Sequence, residues 1–141
     1  MINEASRKGA KAQGLNENSI SRMVLDAAIE IHRELGPGLL ESVYETILAH
    51  KLGAGGLSVR RQVAIPLVYG DLEFDVAFRA DLVVEESVII EIKTVEKLNP
   101  AHKKQLLTYL KLANLRLGLL MNFSEDLMKH GVVRVVNRLD E

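Results

Sequence analysis

Residues 79–93 read RADLVVEESVIIEIK, with an apolar run on each side of a short polar turn. Two runs rich in Val and Ile around such a turn predict an antiparallel β-hairpin. If the turn is centred on Glu86, Asp81 and Glu91 face each other across the hairpin, because both lie five residues from its centre. Lys93 follows Glu91 by two residues and shares its face of the strand. The stretch therefore predicts three charged side chains together on one face of a strongly apolar hairpin.

These three charged side chains have two interpretations. Neighbouring carboxylates repel each other unless a cation lies between them, and hard oxygen ligands suit Mg²⁺ or Mn²⁺. Such an ion can lower the pKa of a bound water, and Lys93 could position that water or balance developing charge. The alternative is a surface hairpin with a cross-strand ion pair, because charge clusters mark function in only some proteins. On physical grounds alone, both interpretations stay open.

The rest of the chain is predicted to surround the hairpin with helices and further strands. A polar leader at 1–17 is predicted to be flexible, and 18–141 to form a single domain. Helix 1 is expected to start at Asn18 or Ser19, and an Asn-Pro pair starts helix 3. The predicted helices are 19–35, 39–51, 100–114 and 125–130, and the predicted strands are 57–68, 74–84, 88–94, 117–123 and 132–136. This order, ααβββαβ with a small terminal helix and strand, predicts an α/β fold with a central mixed β-sheet flanked by helices.

Composition and charge narrow the class of protein. A chain of 141 residues, of which 48% are hydrophobic, can build one domain with a proper core. It has no cysteine, which excludes disulfides and thiolate metal sites; together with the lack of a secretory signal pattern, this favours a reducing, cytoplasmic location. No apolar run approaches the ~20 residues that cross a bilayer. The net charge of −1 is mild evidence against a large nucleic-acid footprint.

Two pairs of polar residues on predicted helices accompany the hairpin. Glu41 and Tyr44 lie on one helical face at i,i+3, although Glu41 could simply favour a helix start and Tyr44 could be a half-buried core aromatic. Gln105 and Tyr109 lie one above the other at i,i+4. Gln105 could orient a water or a phosphate with support from Tyr109, or the pair could be a polar edge beside a leucine-rich core face.

Two further residues are candidates for the same site. His32 could approach the site as an accessory ligand, or it could be a structural histidine. Arg79 precedes Asp81 by two residues and is therefore expected to share its face. It could pair with Glu41 or Glu91, or reach a phosphate.

Together these features resemble the GxxExxY family, a branch of the PD-(D/E)XK nuclease superfamily, over about residues 19–137. The matching stretches are 28–44, 79–93, 95–112 and 117–123. The family signature is intact at Gly38, Glu41 and Tyr44. The Gln105–Tyr109 pair resembles the QxxxY element of RecB-type nucleases. One motif would be weak evidence, whereas four in the expected order favour the assignment.

The resemblance implies a PD-(D/E)XK restriction-endonuclease-like core and a role for each matching residue. Asp81 and Glu91 are the implied ligands of Mg²⁺ or Mn²⁺, together with the backbone carbonyl of Ile92. Lys93 is the implied catalytic lysine, and Glu41 is an extra catalytic acid that can bind the metal or a metal-bound water. The remaining implied residues are Gln105 as a catalytic polar group, and Tyr44, Tyr109, Arg79 and His32 in supporting positions.

The function that the resemblance implies is a metal-dependent nuclease that hydrolyses phosphodiester bonds in nucleic acid, with DNA favoured over RNA. The alternative is a catalytically silent nucleic-acid- or protein-binding module on the same fold, which the small size and near-neutral charge favour. Hydrolysis of a smaller phosphodiester is a third, weaker alternative, and no glycine-rich loop for a nucleoside triphosphate is present. No membrane contact is expected, and an exposed edge strand could support a homodimer.

Overall fold

The protein is built on one five-stranded mixed sheet, and the computed structural model describes residues 15–139. The helices are α1 (Glu17–Leu35), α2 (Glu41–Ala54) and α3 (Pro100–Ala113), and the strands are β1 (Val59–Tyr69), β2 (Leu72–Val84), β3 (Val88–Lys93), β4 (Leu117–Asn122) and β5 (Val132–Val136). The strands lie side by side in chain order. Only β3 and β4 are parallel, and the other neighbouring pairs are antiparallel. The predicted α/β class with a mixed sheet flanked by helices is confirmed.

Helices cover both faces of the sheet. On one face, α1 and α2 bury residues such as Val24 and Leu48 against β3 and β4. On the other face, α3 buries Leu106 and Leu110. Because β3 and β4 are covered on both sides, both are mainly apolar, as parallel strands in such folds usually are, and the charged residues of β3 lie in its last three positions. Within residues 15–139, no helix combines the length and apolar character needed to cross a membrane.

Helix α1 begins earlier than predicted, because its N-cap is Asn16 and not Asn18 or Ser19. The Ser19 N–H donates a hydrogen bond of 2.8 Å to the Asn16 side chain, which satisfies one of the amide groups that a helix start leaves free. Of the predicted leader at 1–17, residues 1–14 lie outside the described part of the chain, and the last residue already belongs to α1.

Helix α3 has the ends that its sequence predicts. The Asn99 side chain accepts hydrogen bonds of 2.9 and 3.3 Å from two first-turn N–H groups, and Pro100 is the first helical residue. Asn114 closes the helix in the left-handed conformation that ends many helices. The predicted helix at 125–130 was wrong in extent, because only a single 3₁₀ turn forms, at Met128–His130.

The turn between β2 and β3 has the predicted centre, Glu86. Glu85 and Glu86 both have a positive φ, of 52° and 51°, which is uncommon for residues other than glycine. Contacts with the start of β1 hold them there. The backbone N–H of Ser58 donates to the Glu85 carboxylate at 2.6 Å, and Arg60 donates twice to the Glu86 carboxylate at 2.9 and 3.0 Å. The hairpin register is therefore fixed by tertiary contacts as well as by the turn.

The side chains of β1 switch from one face of the sheet to the other at Gln62, and those of β2 switch at Asp81. In a regular strand, residues two apart share a face. Leu82, however, packs in the layer of α1 and α2, whereas Ala80 packs in the layer of α3. Gln62 has a φ of 50°, and neither it nor Asp81 belongs to the β1–β2 ladder. This interruption frees the Asp81 backbone and side chain for other partners, as irregularities near functional sites often do.

The corner between α1 and α2 is held by Tyr44. Its hydroxyl donates to the Gly36 carbonyl at 2.6 Å and accepts from the Leu39 N–H at 3.2 Å. Its fully buried ring stacks on Phe123, with 4.4 Å between ring centroids. Because the corner directly precedes α2, Tyr44 also fixes where the first residue of that helix, Glu41, is placed.

Removing the Tyr44 hydroxyl should destabilise the protein without disturbing the ring stack. In Tyr44→Phe, the Gly36 carbonyl and the Leu39 N–H each lose a partner in a partly buried corner, which costs about 1–3 kcal/mol. Chemical denaturation monitored by circular dichroism measures the change in free energy of unfolding. Tyr69→Phe is the matched control, because Tyr69 is 74% exposed and should unfold as wild type does. Equal stability of Tyr44→Phe and wild type would contradict this role.

Candidate active site

The candidate site lies where the backbone ladder between β2 and β3 stops. The last backbone pair is Leu82 with Ile90. Beyond it, carboxylates take over: the Asp81 N–H donates to Glu91 Oε2 at 2.8 Å, and the Ile92 N–H donates to Asp81 Oδ2 at 2.9 Å. Asp81 and Glu91 therefore lie opposite each other, as the hairpin register predicts, and each bonds the backbone of the other strand.

The ionised forms of Asp81 and Glu91 are disfavoured at this position. The pKa of Glu91 is raised to about 8, first by burial and then by the negative charge of Asp81, while the Asp81 N–H and the Lys93 ammonium oppose the rise. Burial also raises the pKa of Asp81, and the charges of Glu45 and Glu41 add to this, against the Ile92 N–H and the Gln62 amide. A cation at this position would remove the repulsion.

Lys93 and Tyr109 border the carboxylates. Lys93 is half-buried at the end of β3, and its ammonium is close enough to favour the ionised form of Glu91. The Tyr109 ring stacks on Phe78, with 3.7 Å between centroids and 5° between planes. Burial raises the pKa of the Tyr109 hydroxyl, and the charges of Glu91 and Asp81 raise it further. Tyr109 therefore belongs to the surroundings of the carboxylate pair.

Glu41 approaches the site from the other helical layer. It is the first residue of α2, and its Oε2 accepts from the Thr94 N–H at 3.2 Å and from the Thr94 hydroxyl at 3.4 Å. Thr94 directly follows Lys93, so Glu41 lies beside the end of β3. Its charge contributes to the raised pKa of Asp81. The structure thus brings Glu41 together with the hairpin residues.

Glu45 and Gln62 also belong to this cluster, although the sequence analysis did not single them out. Glu45 lies one turn after Glu41 and accepts from Arg61 at 3.1 Å and from Gln62 at 2.7 Å. The Gln62 amide also donates to Asp81 Oδ1 at 3.4 Å. The i,i+4 spacing of Glu41 and Glu45 could have revealed the second carboxylate. No pattern in the sequence predicts the left-handed backbone that aims Gln62 at Asp81.

Asn122 is a second residue outside the predictions, and it fixes the chain after β3. It is fully buried at the end of β4. Its side-chain carbonyl accepts from the Val95 N–H at 3.1 Å and the Ser124 N–H at 3.2 Å, and its amide donates to the Val95 carbonyl at 2.8 Å. The segment that carries Thr94 away from the sheet is thereby tied to the neighbouring strand.

Two predicted site residues, Arg79 and Gln105, are exposed, and their side chains make no polar contact with other described residues. Arg79 forms no ion pair with Glu41 or Glu91 anywhere in residues 15–139. β2 exchanges faces between Ala80 and Leu82, so strand periodicity no longer relates the direction of Arg79 to that of Asp81. Gln105 is exposed on α3, one turn before Tyr109, and its amide has no hydrogen-bond partner in the described chain. Both remain accessible to a ligand.

The other predicted supporting residues are engaged in the fold. The His32 ring lies 6.4 Å from the Phe123 ring, and its Nε2 is 2.7 Å from the Glu125 carbonyl oxygen. Tyr44 holds the corner before α2, and Ile92 contributes its N–H to Asp81. His32 and Tyr44 therefore act here through packing and hydrogen bonds to the backbone.

Asp81 and Glu91 are the side chains best suited to hold a divalent cation. Across residues 15–139, no three His, Asp or Glu side chains are grouped closely enough to form a cation site from protein ligands alone. Mg²⁺, however, usually takes one or two carboxylates and completes its shell with water and substrate oxygens. Two adjacent carboxylates with raised pKa values, each with only one oxygen bonded to a backbone N–H, fit that requirement.

The raised pKa of Glu91 predicts how the stability of the metal-free protein depends on pH. The folded state holds a proton that the unfolded state releases near 4.5, so the free energy of unfolding should fall as pH rises from about 4.5 to 8. The slope is on the order of 1 kcal/mol per pH unit. Denaturation of wild type and Glu91→Gln in chelator, at several pH values, measures it. The variant should lose most of the slope, and the control Glu34→Gln, on the exposed side of α1, should keep it. An unchanged slope in Glu91→Gln would refute the assignment.

The family comparison covers the region that builds this site. The family model of the PD-(D/E)XK nuclease superfamily matches residues 18–135, which extend from α1 to β5 and include the whole carboxylate cluster. Neither curated proteins nor solved structures gave a match. The match covers well over half of the chain, and the mixed sheet flanked by helices agrees with that fold. The chain belongs to the PD-(D/E)XK nuclease superfamily.

Proposed function

We propose that the protein is a metal-dependent nuclease that hydrolyses phosphodiester bonds in nucleic acid, with DNA favoured over RNA. The observation that carries the proposal is the pair of adjacent carboxylates, partly buried Asp81 and buried Glu91, at the end of the β2–β3 ladder with Lys93 beside it. In a chain of a nuclease superfamily, this arrangement supports cleavage of a phosphodiester.

The proposed cofactor is Mg²⁺ or Mn²⁺, held by Asp81, Glu91 and the Ile92 carbonyl, with Glu41 as a further ligand or as the partner of a bound water. The donor set supports the choice, because hard oxygen ligands and one or two carboxylates suit these ions. When bound, such an ion polarises a phosphoryl oxygen and lowers the pKa of a coordinated water. Oε1 of Glu91 accepts no hydrogen bond from residues 15–139, so it is free for this role.

The remaining proposed roles belong to residues of three different elements. The Lys93 ammonium can donate to a non-bridging phosphate oxygen and offset the charge that develops there. Glu41, steadied by Thr94, can accept a proton from the attacking water. Gln105 and Tyr109 lie one turn apart on α3. The exposed Gln105 amide can contact a phosphate oxygen, and the Tyr109 ring, which stacks on Phe78, supports it from the next turn.

We also assign the chain to the GxxExxY branch of the superfamily, with a QxxxY element in α3. Two contacts support the branch assignment. Tyr44 fixes the corner that precedes α2, and Glu41 then reaches Thr94 next to Lys93. The spacing of the signature is thus explained by a structural link, because its tyrosine places its glutamate. For the QxxxY element, the support is that the charges of Glu91 and Asp81 raise the pKa of Tyr109, which places its hydroxyl within their influence.

Loss of the central groups should abolish cleavage. Lys93→Ala and Asp81→Asn are each expected to reduce kcat by about 100-fold or more, because preorganised charge at a reacting centre contributes on that scale. Single- and double-stranded DNA and RNA, incubated with Mn²⁺ and analysed on gels, provide the measurement and also test the preference for DNA. The matched controls are Lys111→Ala and Asp26→Asn, both on exposed helix faces. If wild type cleaves no better than Lys93→Ala and Asp81→Asn on every substrate, the nuclease proposal fails.

A catalytically silent nucleic-acid- or protein-binding module is the second candidate. It is favoured by the lack of a complete protein-built cation site among residues 15–139 and by the net charge of −1.

Metal titration separates the two candidates. A ligand that binds only the folded state at 100 times its Kd stabilises that state by ~2.7 kcal/mol. The nuclease proposal predicts that saturating Mn²⁺ raises the Tm of wild type and leaves that of Asp81→Asn unchanged. A wild-type Tm that does not respond to Mn²⁺ or Mg²⁺ would instead favour the binding module.

We propose that the protein is cytoplasmic. We also propose that it forms a homodimer through the free edge of β1. β1 is one of the two edge strands of the sheet, with β5 at the other edge, and an unpaired strand edge can pair with a second copy. Val68 and Leu72, near the end of the β1–β2 hairpin, are 66% and 59% exposed, which is consistent with a covered position in a dimer. Analytical ultracentrifugation tests the oligomer, and a monomer at all concentrations would exclude it.

A further inference from the structure

Glu45 is a buried carboxylate that the proposed reaction does not use. Only 6% of it is exposed, and burying a charged group is unfavourable unless partners compensate for the lost water. Its partners are successive residues of β1. Arg61 donates to Oε2 at 3.1 and 3.3 Å, and Gln62 donates to Oε1 at 2.7 Å. Each Glu45 oxygen therefore has its own donor.

Two successive strand residues reach one carboxylate because β1 is irregular at this point. In a regular strand their side chains would point to opposite faces of the sheet. Gln62 has a φ of 50°, a conformation that is unfavourable for a residue other than glycine. Such a conformation persists only where the surroundings determine it, and here Glu45 supplies the contact.

Gln62 also reaches the candidate active site. Its Nε2 donates to Asp81 Oδ1 at 3.4 Å, while the Ile92 N–H holds Oδ2 at 2.9 Å. Because ionised carboxylates only accept hydrogen bonds, the amide must direct its NH₂ group to both Glu45 and Asp81. Oδ1 of Asp81 is therefore linked through Gln62 to the Glu45 carboxylate, whose other oxygen accepts from Arg61.

We infer that Glu45 and Gln62 are positioning residues that orient the Asp81 carboxylate for cation binding. The inference rests on the proposed function, because it assigns Asp81 as a cation ligand. Arg61 offsets the charge of Glu45, so the link adds less repulsion to the carboxylate pair than a free glutamate would. Removing groups that orient metal ligands typically lowers metal affinity by about 10–100-fold.

Two variants test this link. Gln62→Met keeps the length of an exposed side chain and removes its donors, and Glu45→Gln removes the charge that Arg61 and Gln62 hold. Each should raise the Kd for Mn²⁺, measured by calorimetry without substrate, by about 10–100-fold. Each should also shift the amide resonance of Ile92 in the metal-free protein, because that N–H reports directly on the Asp81 carboxylate.

Glu30→Gln is the control. Lys51 and Glu30 form an ion pair between α2 and α1, with an N···O distance of 2.9 Å. This pair has no contact with Asp81 and lies outside the β2–β3 hairpin. Glu30→Gln should therefore leave the Mn²⁺ Kd and the Ile92 resonance as in wild type.

The outcomes separate the positioning role from the proposed function. A wild-type Ile92 resonance and a wild-type Mn²⁺ Kd in folded Gln62→Met would overturn the positioning role. If Glu45→Gln does not fold, Gln62→Met decides alone. If wild type binds no Mn²⁺, the metal-dependent function fails, and the Ile92 resonance still supports or overturns the orientation of Asp81 by Gln62.

Discussion

The candidate site depends on two hydrogen bonds that replace the backbone ladder between β2 and β3. Glu91 accepts the N–H of Asp81, and Asp81 accepts the N–H of Ile92. In a regular antiparallel pair, such N–H groups would bond carbonyls of the facing strand. Replacing carbonyls with carboxylates ends the ladder without leaving a buried N–H unsatisfied. It also places two carboxylates side by side, where burial raises the pKa of both and the charge of Asp81 raises that of Glu91 further.

Each surrounding element adds one constraint to this pair. The corner held by Tyr44 starts α2 where Glu41 reaches the end of β3. Helix α3 brings Tyr109 to the other side, and the interruption of β1 turns Gln62 toward Asp81. Lys93 offsets only part of the charge of Glu91, whose pKa stays near 8. The protein alone therefore leaves the carboxylate pair unbalanced, which is the physical reason to propose a cation there.

The sequence was sufficient for features set by local chemistry. The start of α3 follows from Asn99 and Pro100, and the hairpin centre at Glu86 places Asp81 opposite Glu91. It was not sufficient where tertiary contacts override strand periodicity. The face exchange at Asp81 accompanies a left-handed Gln62 in the neighbouring strand, and no pattern in the sequence predicts that conformation. Glu45 could have been found from its spacing to Glu41, but its partners on β1 could not.

The most direct test of the central claim is anomalous diffraction near the manganese edge from crystals soaked in Mn²⁺. If the carboxylate pair is a cation site, an anomalous peak should lie between Asp81 and Glu91, and it should be absent in Asp81→Asn crystals soaked in the same way. Wild-type crystals with fully ordered carboxylates and no peak between them at saturating Mn²⁺ would contradict the account.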